Sequence, residues 1–280
     1  MKYALFMGCT PYGATPEVKT SLEATATALD IELIELTEAS CCGATHLQDY
    51  DSFLSLVLNA RNLAYAERLG LDLITVCNTC RLVLGKAAAE LNGDLRLRER
   101  VNEKLAEVGL RYDGSVRVRH LLYVLRDDYG FDNLPIKKPL TGKKIAPFYG
   151  CHNIRPSEGD DDPFRPRALR DLITALGGEA VDYPLQNDCC GFHAQMQASE
   201  TTYRLGGKIL AEAGDYGADW IVTPCPLCQL SLDAQNLNAL RAVKRPSSPP
   251  TLHLTQLIGV ALGLNEKRLG LNRNIVSVSI

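Results

Sequence analysis

The ten cysteines of this chain constrain its fold most, because they form one pattern written twice. They fall at positions 9, 41, 42, 77 and 80, and again at 151, 189, 190, 225 and 228. Four correspond at a constant offset of 148 residues (41 to 189, 42 to 190, 77 to 225, 80 to 228), while Cys9 to Cys151 is offset by 142. The difference is a change of loop length in one copy. The flanks repeat too: KYALFMGC matches KKIAPFYGC, SCCGATH matches DCCGFH, and LDLITVCNTC matches ADWIVTPCPLC. Whatever one copy folds into, the other must fold into as well.

Each copy has the same rhythm. A short apolar run ends at the first cysteine and a helical pattern follows (TSLEATATALD; RALRDLITALGG). A second strand (IELIELT; EAVDYP) leads to the paired cysteines. Next come a helix (FLSLVLNARNLAYAERLG; TTYRLGGKILAEAG), a strand (LDLITVC; DWIVTPC), and a further helix opening at Cys-x-x-Cys. Strands alternating with helices predict a parallel sheet in an α/β layer architecture, so the expected fold is two pseudo-repeated Rossmann-like α/β domains. Ligands of such sheets bind beyond the carboxyl ends of the strands, where the cysteines are expected to converge. The first domain is expected over residues 1–135 and the second over 143–280, with 136–142 in LPIKKPLTGKK as the linker. Helical-looking segments over 101–108 and 120–128 precede it. His120 in VRHLLYVL and His253 in TLHLTQLIGVAL each stand early in an apolar helical run, and the plain reading makes both capping or packing residues.

A chain of 280 residues can bury a core, and its net charge of -3 gives no electrostatic reason to expect nucleic acid. MKYALFMGC lacks the apolar length and cleavage site of a signal peptide, so the mature chain is expected to start near Met1. The longest apolar stretch, LIGVALGL at 257–264, is too short to span a bilayer and reads as core cover. In a reducing compartment ten thiols do not read as five disulfides, which leaves metal binding or redox chemistry.

A Cys-x-x-Cys where a strand turns into a helix suits zinc, an iron-sulfur cluster or a thioredoxin-like dithiol, since the helix N-terminus favours the thiolate. Structural zinc takes four ligands, so one of five cysteines would be left over. A dithiol leaves three unexplained. A cluster can use additional thiolates on additional irons, but a common cubane takes four cysteines, and the spacing C-x-x-C-x-x-C is absent. Five per site means an unusual cluster or a cysteine with another role.

Cys, then Cys-Cys-Gly, then Cys-x-x-Cys, present twice, resembles the cysteine-rich CCG domain found in the B-type subunits of heterodisulfide reductases and in the E-type subunits of atypical succinate:quinone and fumarate reductases. YGCHNIRPSE at 149–158 is similar to a stretch common in the B-type proteins, whereas Gly43 and NARNLAYAERLGLDLITVCNTC look closer to the bacterial E-type proteins. The resemblance implies two non-cubane 4Fe-4S clusters. One would be held by Cys9, Cys41, Cys42, Cys77 and Cys80, the other by Cys151, Cys189, Cys190, Cys225 and Cys228. It further implies a complex with a ferredoxin-like iron-sulfur subunit and a flavoprotein subunit, acting on a disulfide or a quinone, in the cytoplasm or peripherally at the inner membrane face. The rival reading is a zinc-binding or structural adaptor.

His152 follows Cys151 and His193 stands three residues after Cys190, so both are candidates to pass a proton at the second site, imidazole titrating near neutrality. The alternative is packing, and His46 stands at nearly the same place as His193 in the first copy. Arg155, Arg204 and Lys208 would balance charge or else be solvated surface. Pro224 and Pro226 flank Cys225 where the first copy has Val76 and Asn78, so the two centres are expected to differ. The acidic loop at 157–167 reads as exposed, or as a docking surface for a partner. No G-x-G-x-x-G follows a strand, so electrons are expected from a partner subunit.

Overall fold

A computed structural model describes residues 1–154 and 160–280. The chain divides into two compact units, the first made of Met1–Cys9 and Asp30–Leu121, the second of Thr10–Leu29 and Leu122–Ile280.

In the first unit, β1 (Lys2–Phe6), β2 (Glu32–Glu35), β3 (Leu73–Thr75) and β4 (Val118–His120) form a four-stranded sheet of order β2-β1-β3-β4. All neighbours are parallel, with Leu5 opposite Glu35 on one side and Ile74 on the other. The central strands are buried along nearly their whole length, as a parallel sheet covered on both faces requires. Its helices are α2 (His46–Tyr50), α3 (Ser52–Arg68), α4 (Asn78–Gly93) and α5 (Leu95–Ala106). Asp51 caps α3 by accepting from the Leu54 amide at 2.9 Å, and Asp94 caps α5 through the amides of Arg96 and Leu97.

The second unit repeats the plan. Strands β5 (Lys144–Pro147), β6 (Glu179–Ala180), β7 (Trp220–Thr223) and β8 (Thr251–His253) pair in parallel in the order β6-β5-β7-β8. Helix α6 (Leu121–Val124) follows β4 at the 121/122 cut, and α7 (Cys151–Ile154), α8 (Ala168–Ala175), α9 (Ser199–Asp215), α10 (Pro226–Gln229), α11 (Asn236–Val243), α12 (Leu254–Ala261) and α13 (Glu266–Leu269) belong to the second unit. Where the first copy has one unbroken helix, α4, the second has α10, a π-helical turn over Leu230–Ala234, and α11.

Helix α1 (Pro16–Ala28) follows β1 in the chain but packs in the second unit. There Ser21 Oγ lies 2.6 Å from Thr255 Oγ1, and Thr25 Oγ1 donates to the Thr255 carbonyl at 3.0 Å. The network continues through His253, whose Nδ1 is 2.8 Å from Thr255 Oγ1, and through Gln256, whose Nε2 donates to Asn274 at 2.8 Å. The compact units are cut at 9/10, 29/30 and 121/122, so they do not follow the order of the copies along the chain.

One feature differs from expectation. His120 and His253 are the last residues of β4 and β8 rather than early helix residues. A three-residue strand running straight into an apolar helix carries no period of its own, so only pairing with β3 and β7 reveals it. Their plain role holds: both are fully buried, and His253 caps α12. The stretch at 257–264 lies in and just after α12, with Leu257, Ile258, Val260, Ala261 and Leu262 buried. It covers core, and Val260, Gly263 and Leu264 at its end line a surface cleft with Lys138 and Asn265. Among the described residues, no helix is long and apolar enough to cross a membrane.

Candidate metal centres

All ten cysteines stand beyond the carboxyl ends of strands and gather into one group of five per unit. In the first, Cys42 Sγ is 3.7 Å from Cys80 Sγ. Cys9 meets Cys41, Cys41 meets Cys42, and Cys80 meets Cys77, so the five sulfurs pack as one connected group. In the second unit Cys151 meets Cys189, and Cys228 meets both Cys190 and Cys225. Among the described residues, no three Cys, His, Asp or Glu side chains are grouped as a shell for one metal ion.

The paired cysteines diverge in a turn that needs glycine. Gly43 and Gly191 both have φ of 79°, in the left-handed region that side chains disfavour. A Cβ on Gly43 would lie 2.6 Å from Leu47 Cβ, and one on Gly191 2.9 Å from Thr202 Cα. With the peptide so turned, the Gly43 amide donates to Cys41 Sγ at 3.4 Å and the Gly191 amide to Cys189 Sγ at 3.3 Å. Cys42 and Cys190 are buried, while Cys41 is exposed and Cys189 half-buried. On the other strand ends, a Cβ on Gly8 would approach Cys80 Sγ to 3.2 Å, so β1 leaves the sheet close against the Cys-x-x-Cys helix.

Two buried asparagines, one turn apart on α3, hold the first turn in place. Asn62 Oδ1 accepts from the Ser40 amide at 3.0 Å while its Nδ2 donates to the Ser40 carbonyl at 3.1 Å. Asn59 Nδ2 donates to the Cys42 carbonyl at 3.1 Å. The second unit uses another residue: Thr202 Oγ1 donates to the Gly191 carbonyl at 2.9 Å. The residue reading overlooked Asn59 and Asn62. The signal was there, since asparagine is a poor helix former and two of them stand on an otherwise apolar face of α3.

Packed thiols cannot all ionise together. The hydrogen bond from Cys42, and then that from Cys9, holds Cys41 far below the usual thiol value. Cys41 in turn pushes Cys42 up to about 11, and raises Cys9 together with burial. Cys42 and Cys77 raise Cys80. In the second unit Cys189 and burial raise Cys151, and Cys190 and Cys225 raise Cys228. A group that favours one thiolate and penalises its neighbours is one whose repulsion a bound cation would remove.

His152 on α7 and His193 beyond Cys190 come together, their ring centroids 4.9 Å apart and the rings tilted by 33°. Phe192 packs edge-on to His193 at 5.7 Å. His46 is exposed at the start of α2. Arg204 and Lys208 are exposed on α9, as the surface reading expects, and Arg155 lies outside the described residues. Cys77 and Cys225 take the same extended backbone before their helices, with φ of -127° and -132°. Pro226 replaces the first amide of α10, where Asn78 supplies one to α4. Of the acidic loop, Asp162 is exposed and accepts from the amides of Phe164 and Arg165, while Asp161 accepts from those of Arg167 and Ala168.

These features define a tandem α/β protein with five thiols assembled beyond the strand ends of each copy. The cysteine-rich domain model (CCG) matches it twice, over residues 3–85 and 145–233, and the chain belongs to that family. It is 40% identical over 280 residues to the 8-methylmenaquinol:fumarate reductase membrane anchor subunit of Wolinella succinogenes, covering 99% of this chain and 98% of that one. Identity is 35% to an Archaeoglobus profundus protein that is itself like the B-type subunit of heterodisulfide reductase, over 96% of this chain and 93% of that protein. It is 34% to the B-type subunit of the ferredoxin/F(420)H(2)-dependent CoB-CoM heterodisulfide reductase of Methanosarcina acetivorans, with coverage of 98% and 94%. A solved hypothetical protein from Helicobacter pylori shares the fold with a TM-score of 0.85 at 19% identity, covering 99% of this chain and 52% of that one.

Proposed function

We propose that this chain is the iron-sulfur subunit of a reductase complex, holding a non-cubane 4Fe-4S cluster in each unit and exchanging electrons with a quinol. The observation that carries the reading is the packed group of five sulfurs in each unit. Five packed thiolates can be shared among several irons, and they exceed the four that a structural zinc takes. The donors also fit in kind, being all sulfur. When bound, such clusters accept and release single electrons.

The chain's own residues then have separate tasks. The Gly43 and Gly191 amides each donate to a sulfur and so favour its thiolate. Asn59, Asn62 and Thr202 keep the paired cysteines apart. His152 and His193 hold and hand on the proton that a two-electron organic substrate takes up or gives away. His152→Ala or His193→Ala is expected to lower turnover about 10- to 100-fold with iron content unchanged, measured on the anaerobic complex.

The full-length likeness to a component of a menaquinol:fumarate reductase favours quinol over disulfide. The heterodisulfide reductase relatives support disulfide cleavage as the second reading. Partners would be a ferredoxin-like subunit and a flavoprotein subunit, with the complex at the cytoplasmic face of the membrane. Anaerobic metal analysis tests the centres: about eight irons per chain with acid-labile sulfide is expected, and zinc without sulfide would sink the reading in favour of an adaptor. Assay of the complex with quinone analogues and with disulfides separates the two substrates.

A further inference from the structure

The first unit has a cleft of about 310 Å³ between α2, α3, α4 and α5, at the small end of the range for ligand pockets. Its buried floor is apolar at Leu56, Val83 and Ala87 and polar at Ser55 and Asn59. The Asn59 side chain is 1% exposed, and its Oδ1 has no hydrogen-bond partner among the described residues. The amide cannot profitably flip, because Nδ2 already donates to the Cys42 carbonyl at 3.1 Å and the Ser55 carbonyl at 2.8 Å. A buried acceptor left unmet is costly, so a hydroxyl or N–H reaching the floor would be favoured there. A carboxylate or phosphate would not, since Oδ1 is the atom the floor leaves unpaired.

Lys86 and Arg100 stand exposed at the rim, Arg100 over the Phe53 ring with its guanidinium carbon 5.1 Å from the centroid. The second copy lacks this cleft's key residue. At the 148-residue offset Asn59 corresponds to Gly207, and there the Ala239 carbonyl of α11 lies so close that a Cβ would collide with it. The surface that one copy fills with its own helix is open in the other and carries a polar group.

We propose that this cleft binds the ring of a hydroquinone, with one hydroxyl donating to Asn59 Oδ1 and the ring against Leu56 and Val83. This rests on the quinol reading above and gives that substrate a place on the chain. The same geometry discriminates between oxidation states, because a quinone carbonyl would meet the Asn59 oxygen lone pair to lone pair. It also puts the bound hydroxyl on the residue that holds the Cys42 carbonyl, one hydrogen bond from the first group of thiols.

The test uses a redox-inert pair of probes, a methylnaphthol and its methyl ether, titrated calorimetrically into the full chain as purified anaerobically. The naphthol is expected to bind saturably and at least about tenfold more tightly than the ether, which lacks the donor. Asn59→Ala is expected to abolish that preference. Ser52→Trp, which puts an indole on the rim without touching Asn59, is expected to weaken both ligands at least about tenfold with circular dichroism unchanged. No saturable binding, equal affinity for the two probes, or naphthol binding that Ser52→Trp leaves intact would overturn the proposal. The probes need no metal. Clusters present without naphthol binding therefore sink this inference alone, and naphthol binding without iron or sulfide sinks the cluster reading alone.

Discussion

At the scale of single residues, Gly43 and Gly191 decide whether two neighbouring cysteines serve one centre. Alanine at either position meets both a left-handed backbone and a close neighbour. Gly191→Ala is expected to cost about 1–3 kcal/mol, and to lower the iron bound on anaerobic reconstitution to about half, because only the second group of thiols is disturbed. Denaturant melts with iron analysis check both numbers. The ten cysteines and these glycines were legible because their spacing repeats. Asn59 and Asn62 stand out as polar residues on an apolar helix face, but their partners do not, since nothing in a linear string says which carbonyl a buried amide will reach.

Glu17 makes a residue-scale case for pH. It is 6% exposed in the second unit, and burial above all raises its carboxyl. Its own amide and Arg273 oppose the rise, while Asp233 adds to it. The folded chain therefore keeps a proton that the unfolded chain loses in the ordinary carboxylate range, so stability falls as pH rises from that range through the raised value. Glu17→Gln retains the shape without the titration. Its stability is expected to depend less on pH, with a higher melting temperature than the parent at neutral pH, read by thermal melts across pH.

At the scale of elements, the copies share strands and cysteines but diverge in how helices cover them. Gly206 and Gly207 let α11 press against α9, whereas α3 carries Asn59 at the matching place and faces an open cleft. Gly207→Ala should push α11 away and cost about 1–3 kcal/mol in a chemical denaturation series, leaving the naphthol affinity of the first unit unchanged. The long helices and central strands could be read from their periods and apolar runs. The fourth strands could not, being three residues long and continuous with the helices that follow.

At the scale of the whole molecule, the repeat in the sequence and the compact units do not coincide, because α1 is encoded in the first copy and packs in the second unit. A chain carrying only residues 143–280 loses the partners of Thr255 and uncovers one side of α12. Each orphaned buried polar group costs about 1–3 kcal/mol. Such a fragment is expected to be aggregation-prone and poorly protected in hydrogen exchange, while the full chain unfolds cooperatively. A well-protected monomeric fragment would show that α1 is dispensable.

The sequence by itself determined that there are two α/β copies with five thiols each beyond their strand ends, because periodic apolar runs and fixed cysteine spacings are local properties of a chain. Only the tertiary structure decided which sulfurs touch within each group of five, that His152 meets His193, and that α1 packs in the second unit. It alone decided that one copy keeps a cleft which the other fills. These depend on which surfaces find each other after the elements form, and contacts between residues far apart in the chain have no periodicity to announce them.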